Sequence, residues 1–175
     1  MNIEQFEHVL RAAAGITGET VFVVLGSQAV LAQFPDAPAS MRQSAELDIY
    51  PRFRPDLAEV IEGAIGADSP FHGTFGYHAD GVGPETARLP RHWEERAVRF
   101  TSAGGTATAI CPDIHDLAIA KLVAGRPKDL DWLQAAVAAG LLLPSKLQPL
   151  LDDTELDPAE RSLVGQRIAR LEKTS

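Results

Sequence analysis

The sequence predicts an α/β (α+β) chain with an α/β front, a small antiparallel extension and a helical back end. Three observations predict it. Residues 21–25 (VFVVL) form a continuous apolar run rich in β-branched residues, the pattern of a strand buried on both faces. Residues 45–50 (AELDIY) alternate apolar with polar or acidic residues, the pattern of a strand with two different faces. From Pro112 onward the chain carries helical patterning throughout, punctuated only by Gly125, Gly140 and Pro144.

The elements follow in order. Ile3, Phe6, Val9, Leu10 and Ala13 recur at helical spacing, so residues 2–14 read as a helix that Gly15 ends. The first strand stops at Gly26-Ser27, and QAVLAQF then reads as a short helix stopped by Pro35. Residues 34–44, with Pro35 and Pro38, read as a loop leading into the alternating strand. Pro55 suits a first helical turn, and residues 56–65 continue as a helix closed by Gly66. Residues 71–90 are rich in glycine and turn formers, with one strand expected over 75–80. RAVRFTS and TATAIC read as antiparallel strands joined through Ala103-Gly104-Gly105. Helices are expected over 112–124, 127–139, 144–151 and 158–172, the last with a stripe of Leu163, Ile168 and Leu171 that packs on the bundle or on a partner. Residues 1–111 thus form an α/β core, and residues 112–175 a helical segment packed on it as one compact unit.

Bulk properties narrow the function classes. The 175 residues, 45% hydrophobic and 23% charged, have the composition of a soluble globular protein able to bury a core. No apolar run reaches the length of a membrane span, and MNIEQFEHVLRAAAG lacks the pattern of a secretory leader, so the expected location is the cytoplasm. A single cysteine, Cys111, excludes an internal disulfide and a cysteine-based zinc cluster, and no base partner for it is evident in sequence. The net charge of -8 argues against a broadly basic nucleic-acid binder and leaves room for a local basic pocket.

Two features at the front carry chemistry. On a strand, Glu46 and Asp48 point to the same side, roughly 7 Å apart, while Leu47 and Ile49 face the core. Such a pair can grip a divalent ion, and Mg2+ (or Mn2+) suits hard oxygen donors shared with phosphates. Gly26 allows a close turn, and Ser27 with the following amides can hold a phosphate. The plainer account of each feature is a solvated acid pair and an ordinary glycine turn. At the back, Ile114, Leu117, Ala118 and Lys121 lie at i, i+3, i+4 and i+7, which puts a lysine on an apolar stripe. There it either snorkels or meets an anion. Asp116 lies about 500° of rotation from Lys121 and is no intrahelical partner. Lys121, Arg126 and Lys128 can converge at the helix junction to neutralise a triphosphate; alternatively Arg126 and Lys128 are solvated while Asp129 and Asp131 complement the helix dipole.

Other residues carry weaker signals. His72, His78, His92 and His115 lack metal-ligand spacing, which argues against zinc. His115 reads as a helix-surface residue rather than a general base. Arg91, Trp93 and Arg96 either clamp a base or phosphate or surround a buried tryptophan.

A strand, a Gly-Ser opening a helix and an acid-x-acid on the next strand resemble the hallmark of the polymerase-β-type nucleotidyltransferase superfamily. More narrowly, LGSQAVL, ELDIYP, YHADGVGPETARLPRHWEER and PDIHDLAIAKLVAGRPKDLDWL resemble bacterial nucleotidyltransferase-like proteins related to abortive-infection and toxin–antitoxin nucleotidyltransferases. The resemblance implies a mixed sheet flanked by helices and a metal-dependent transfer of a nucleotide from a nucleoside triphosphate to a hydroxyl. The acceptor would be RNA such as tRNA, a protein or another nucleotide, and a cognate toxin or antitoxin is an implied partner. It implies Glu46 and Asp48 as metal ligands and a third carboxylate on a neighbouring strand, for which Asp80 is the candidate; the competing account of Asp80 is a turn aspartate before Gly81. It implies Gly26, Ser27 and Lys121 at the triphosphate, and it ranks Lys121 and Asp129 above Arg126 and Lys128. The first acid is Glu46 where the superfamily usually has Asp, and the preceding loop is long. Both departures suit a second expectation, a catalytically silent binding module or antitoxin-like partner.

Overall fold

The computed structural model describes residues 1–173. Helix α1 (Ile3–Thr17) begins with a capping box in which Asn2 and Gln5 bond reciprocally. It runs past Gly15 and ends at Gly18, which takes the left-handed conformation. Gly15 was expected to stop it, but a glycine inside a helix costs only about 1 kcal/mol, and the buried stripe of Phe6, Val9, Leu10 and Ala13 carries the helix through.

Strand β1 (Val21–Val24) is followed by a 3-10 helix over Ser27–Ala32. Then come β2 (Glu46–Pro51), α2 (Ala58–Ile65), α3 (Pro70–Phe75) and β3 (His78–Gly81). Helix α3 lies in the stretch read as turns, although Ser69 caps it, Pro70 opens it and Gly76 closes it. A single-turn helix α4 (Trp93–Arg96) precedes β4 (Val98–Thr101) and β5 (Thr108–Cys111). The back end holds α5 (Ile114–Ala124), α6 (Pro127–Ala138), α7 (Leu147–Asp152) and α8 (Pro158–Glu172).

The five strands form one mixed sheet in the order β3-β2-β1-β5-β4. The β4–β5 hairpin is antiparallel, as its sequence predicts. It is no separate extension: β5 pairs in parallel with β1 at the centre of the sheet. β2 runs antiparallel to β1 and parallel to β3, the register setting Glu46 beside His78 and Asp48 beside Asp80.

Alternation gives the sheet two unlike faces. Phe22, Val24, Leu47, Ile49, Ala109 and Cys111 join the main core beneath the helices. Val23, Leu25, Tyr50 and Ile110 point the other way into a small second cluster, where Leu89 and Trp93 pack against them. Glu46, Asp48 and Asp80 belong to this second face.

Helix α5 is the hub of the back end, and it is buried nearly all round rather than along one stripe. Asp116 is fully buried and receives the Arg96 guanidinium of α4, with Nη2 donating at 2.6 Å and Nε at 3.0 Å. Burial pushes the Asp116 carboxyl up, and Arg96 pulls it partly back. The Arg167 guanidinium of α8 donates to the Leu122 and Val123 carbonyls at the end of α5, just before Gly125 turns left-handed. On α8 the buried stripe is Val164, Ile168 and Leu171, whereas Leu163 is 47% exposed; spacings of four and three from Val164 keep a single helical face. His115 is not a free surface residue, since Nδ1 lies 2.8 Å from Asp113 and Nε2 accepts from the Leu143 amide. None of the described helices is long and apolar enough to cross a membrane.

Removing one partner of the Arg96–Asp116 pair strands the other. Arg96→Ala is expected to cost roughly 2–4 kcal/mol at neutral pH. Urea denaturation should show the loss shrinking as Asp116 takes up a proton in acid, and Arg96→Met with Asp116→Leu should recover part of it.

Candidate functional site

The acid-bearing face opens into a cavity of about 480 Å³ between the sheet and helices α5 and α6. The metal and phosphate candidates from the sequence all line it: Gly26, Ser27, Glu46, Asp48 and Asp80 from the front, and Lys121, Arg126, Lys128 and Asp129 from the back, whereas Arg91, Trp93 and Arg96 do not. Glu46 and Lys128, 82 residues apart in sequence, thus face one another across one space.

Gly26 makes the front of the cavity possible. Its φ of 67° and ψ of -165° fall in a region essentially restricted to glycine. A Cβ there would lie 1.7 Å from Asp48 Oδ2, so the turn passes directly against the carboxylate. The segment after it is a 3-10 helix of six residues rather than the expected α-helix, so little macrodipole is available to an anion. Ser27 instead presents its hydroxyl, whose Oγ accepts from Lys121 Nζ at 2.8 Å.

Lys121 does not snorkel. It is 5% exposed, with Nζ 3.3 Å from Asp129 Oδ1 and 4.8 Å from the centre of the Trp132 ring. Burial pushes its pKa down, and Asp129 and Asp48 oppose that shift. Asp129 is 1% exposed. Burial alone would raise its carboxyl, but the Arg126 hydrogen bond and the Lys121 charge outweigh this and hold it below the usual range. Arg126 Nε donates to it at 2.6 Å, so Asp129 is a shared acceptor of two cations rather than simply a helix-dipole acid. Lys128 lies 3.7 Å from Glu46 Oε1.

The three acids repel one another. Asp48 is raised to about 6, first by burial and then by Glu46 and Asp80, with Lys121 and Lys128 only partly offsetting them. Asp80 is also raised, by burial, Glu62 and Glu46. Asp80 lies on a strand, beside Asp48, rather than in a turn. Among the described residues no group of three His, Cys, Asp or Glu side chains is gathered tightly enough to hold a metal as placed. The donors nonetheless fit a hard divalent cation: all are carboxylate oxygens, and their mutual repulsion is what such a cation would relieve.

The long loop before β2 is pinned from both sides. Trp132 Nε1 donates to the Met41 carbonyl and Gln28 Nε2 to the Ser44 carbonyl. Trp132, whose ring covers Lys121, is the contributor that the sequence does not mark, because its contacts cross the chain. Cys111 is buried, its thiol pushed far up by desolvation, and takes no part in the cavity.

A mixed sheet with a glycine–serine turn at one strand end and acids on the next two strands defines a nucleotidyltransferase-like fold. The chain belongs to the family described as nucleotidyltransferase of unknown function (DUF6036), whose model matches residues 4–164. Comparison with curated proteins and with solved structures found no significant match.

Two outcomes follow from the geometry. Gly26→Ala should destabilise the protein by roughly 1–3 kcal/mol and displace Asp48, read as a lower melting temperature. Native Asp48 holds its proton more tightly than in the unfolded chain. Stability therefore falls as pH rises from 3.8 to about 6, and a penalty of as much as about 3 kcal/mol stands at pH 7. Asp48→Asn should melt higher than wild type at pH 7.5, and the two should converge in acid.

Proposed function

We propose that the protein is a metal-dependent nucleotidyltransferase that moves a nucleoside monophosphate from a nucleoside triphosphate to a hydroxyl. The observation that carries this reading is the pairing of three carboxylates with three cations across one cavity, beside a serine turn. A phosphate chain and a divalent ion together match that charge pattern.

Glu46, Asp48 and Asp80 would hold the cation, which supplies charge neutralisation at the α-phosphate when bound. Ser27 and Lys121 hold the β- and γ-phosphates, with Arg126 and Lys128 at the cavity mouth. Asp129 keeps Lys121 charged and aimed despite its burial. The acceptor oxygen attacks the α-phosphorus, and the bond to the bridging oxygen of the β-phosphate breaks. Pyrophosphate leaves with that electron pair, and the hydroxyl proton passes to the Asp80 carboxylate. Placement of both reactants and fixed charge supply the rate. Acceptors of the kind used in toxin–antitoxin and phage-defence systems, RNA or a protein hydroxyl, are compatible with this chemistry.

A second reading rests on a specific contact. Lys128 engages Glu46, and the acids are not gathered, which suits a module that binds a nucleotide without transferring it. Labelled nucleoside triphosphates incubated with Mg2+ or Mn2+ and total RNA or protein separate the two. Transfer lost by at least a hundredfold in Glu46→Gln and Asp48→Asn supports the transferase. Transfer that survives both substitutions rejects the site, and triphosphate binding without any transfer supports the silent module.

A further inference from the structure

A second cavity, of about 330 Å³, adjoins the first and shares Leu25 and Ala87 with it. Tyr50, Trp93, Leu89 and Pro84 line it with the Arg52–Glu94 ion pair, and among the described residues its walls hold no unpaired charge cluster like that of the first cavity. We propose that this cavity is the acceptor subsite, and that the acceptor is a nucleoside residue, either free or at the end of an RNA strand, whose base stacks on Trp93. The proposal rests on the transferase reading for its role as acceptor site.

The direction of the reaction places it. Gly26 and Ser27 continue β1 beyond the Val24–Ile49 pair, so they lie toward the Glu46 end of β2. Lys121 is bound to Ser27 and Lys128 to Glu46, so the phosphate-binding charges gather at that end. Tyr50 and Arg52 lie at the opposite end of β2, with Asp48 between. In an in-line displacement the attacking and leaving oxygens stand on opposite sides of phosphorus. With pyrophosphate drawn toward Lys121 and Lys128, the attacking hydroxyl enters over Tyr50, from the second cavity.

The aromatic wall of the cavity is held in place. Trp93 is fixed by its own helix, because Arg96 is locked on Asp116 and Arg52 donates to Glu94 at 2.9 Å. Tyr50 is 7% exposed and supplies a firm floor. Base–aromatic stacking is tolerant of base identity and suits such a wall. Arg52 and Glu94 neutralise each other, so affinity here comes from stacking rather than from net charge.

Binding measurements test this without requiring turnover. Adenosine, cytidine and uridine, which lack the phosphates that the first cavity would attract, and a short single-stranded RNA are titrated by calorimetry into wild type, Trp93→Ala, Trp93→Phe and Asp48→Asn. Trp93→Ala should weaken nucleoside or RNA affinity about tenfold or more, and Trp93→Phe should restore most of it. Asp48→Asn should spare that binding and weaken Mg2+–triphosphate binding instead. Binding of the nucleosides identifies a free nucleotide acceptor, and binding of RNA alone identifies a strand end. No binding of either, a tyrosine peptide that binds in their place, or a Trp93→Ala loss confined to the triphosphate overturns the proposal. Transfer without this split overturns the acceptor cavity alone, whereas the split without transfer overturns the transferase reading and leaves a two-ligand module.

Discussion

Lys121 Nζ stands between Ser27, 2.8 Å away, and Asp129, 3.3 Å away, and through those contacts the helical back end closes over the sheet. An isolated ammonium at that depth would cost several kcal/mol and would shed its proton. Asp129 compensates for it, Arg126 compensates for the second oxygen of Asp129, and the Trp132 ring covers the remaining side. Arg126, Asp129 and Trp132 come from the start of α6 and Ser27 from the turn after β1, so the group is satisfied only when α5, α6 and the Gly26-Ser27 turn are all in place. The same arrangement leaves a buried positive charge beside Asp48. The structural closure and the electrostatics of the cavity therefore rest on one cation.

The opposite imbalance operates at the sheet. Three carboxylates share one face, and Asp48 is pushed up to about 6 because burial and its neighbours leave its charge poorly offset. Gly26 adds to the crowding by running its backbone against the Asp48 side chain. A fold optimised for stability alone would place an apolar residue there. Destabilised charge of this kind gathers at sites that must bind something of opposite sign. The cost is tolerated because the other face of the same strands is fully apolar, with Leu47 and Ile49 in the main core.

Segment 82–97 gives that open face its shape. It carries no long helix or strand, yet it is held at several points: Arg96 on Asp116, Arg52 on Glu94, and the Arg91 amide on the Asp153 carbonyl. Trp93 and Leu89 are thereby pressed onto the second cluster, dividing the open face into a charged cavity and an aromatic one.

Local periodicity is enough to define the elements that carry it and the chemistry attached to them. The strands around residues 21–25 and 45–50, the hairpin, helix α5 and the shared face of Glu46 and Asp48 were all legible, because side-chain direction on a strand or helix follows from spacing alone. The lysine among apolar positions left two outcomes open, snorkelling or an anion brought to it. Tertiary structure decided between them: Asp129 and the Ser27 hydroxyl meet Lys121 only after the chain folds back. The pairing of Asp80 with Asp48 depends on β3 running parallel to β2, and the insertion of β5 beside β1 depends on a crossover; neither leaves a local trace. The burial of Asp116 and the inward turn of His115 escaped for the same reason. A helix packed on every side shows no amphipathic stripe, and a polar residue in it finds its partner through the fold rather than along the chain.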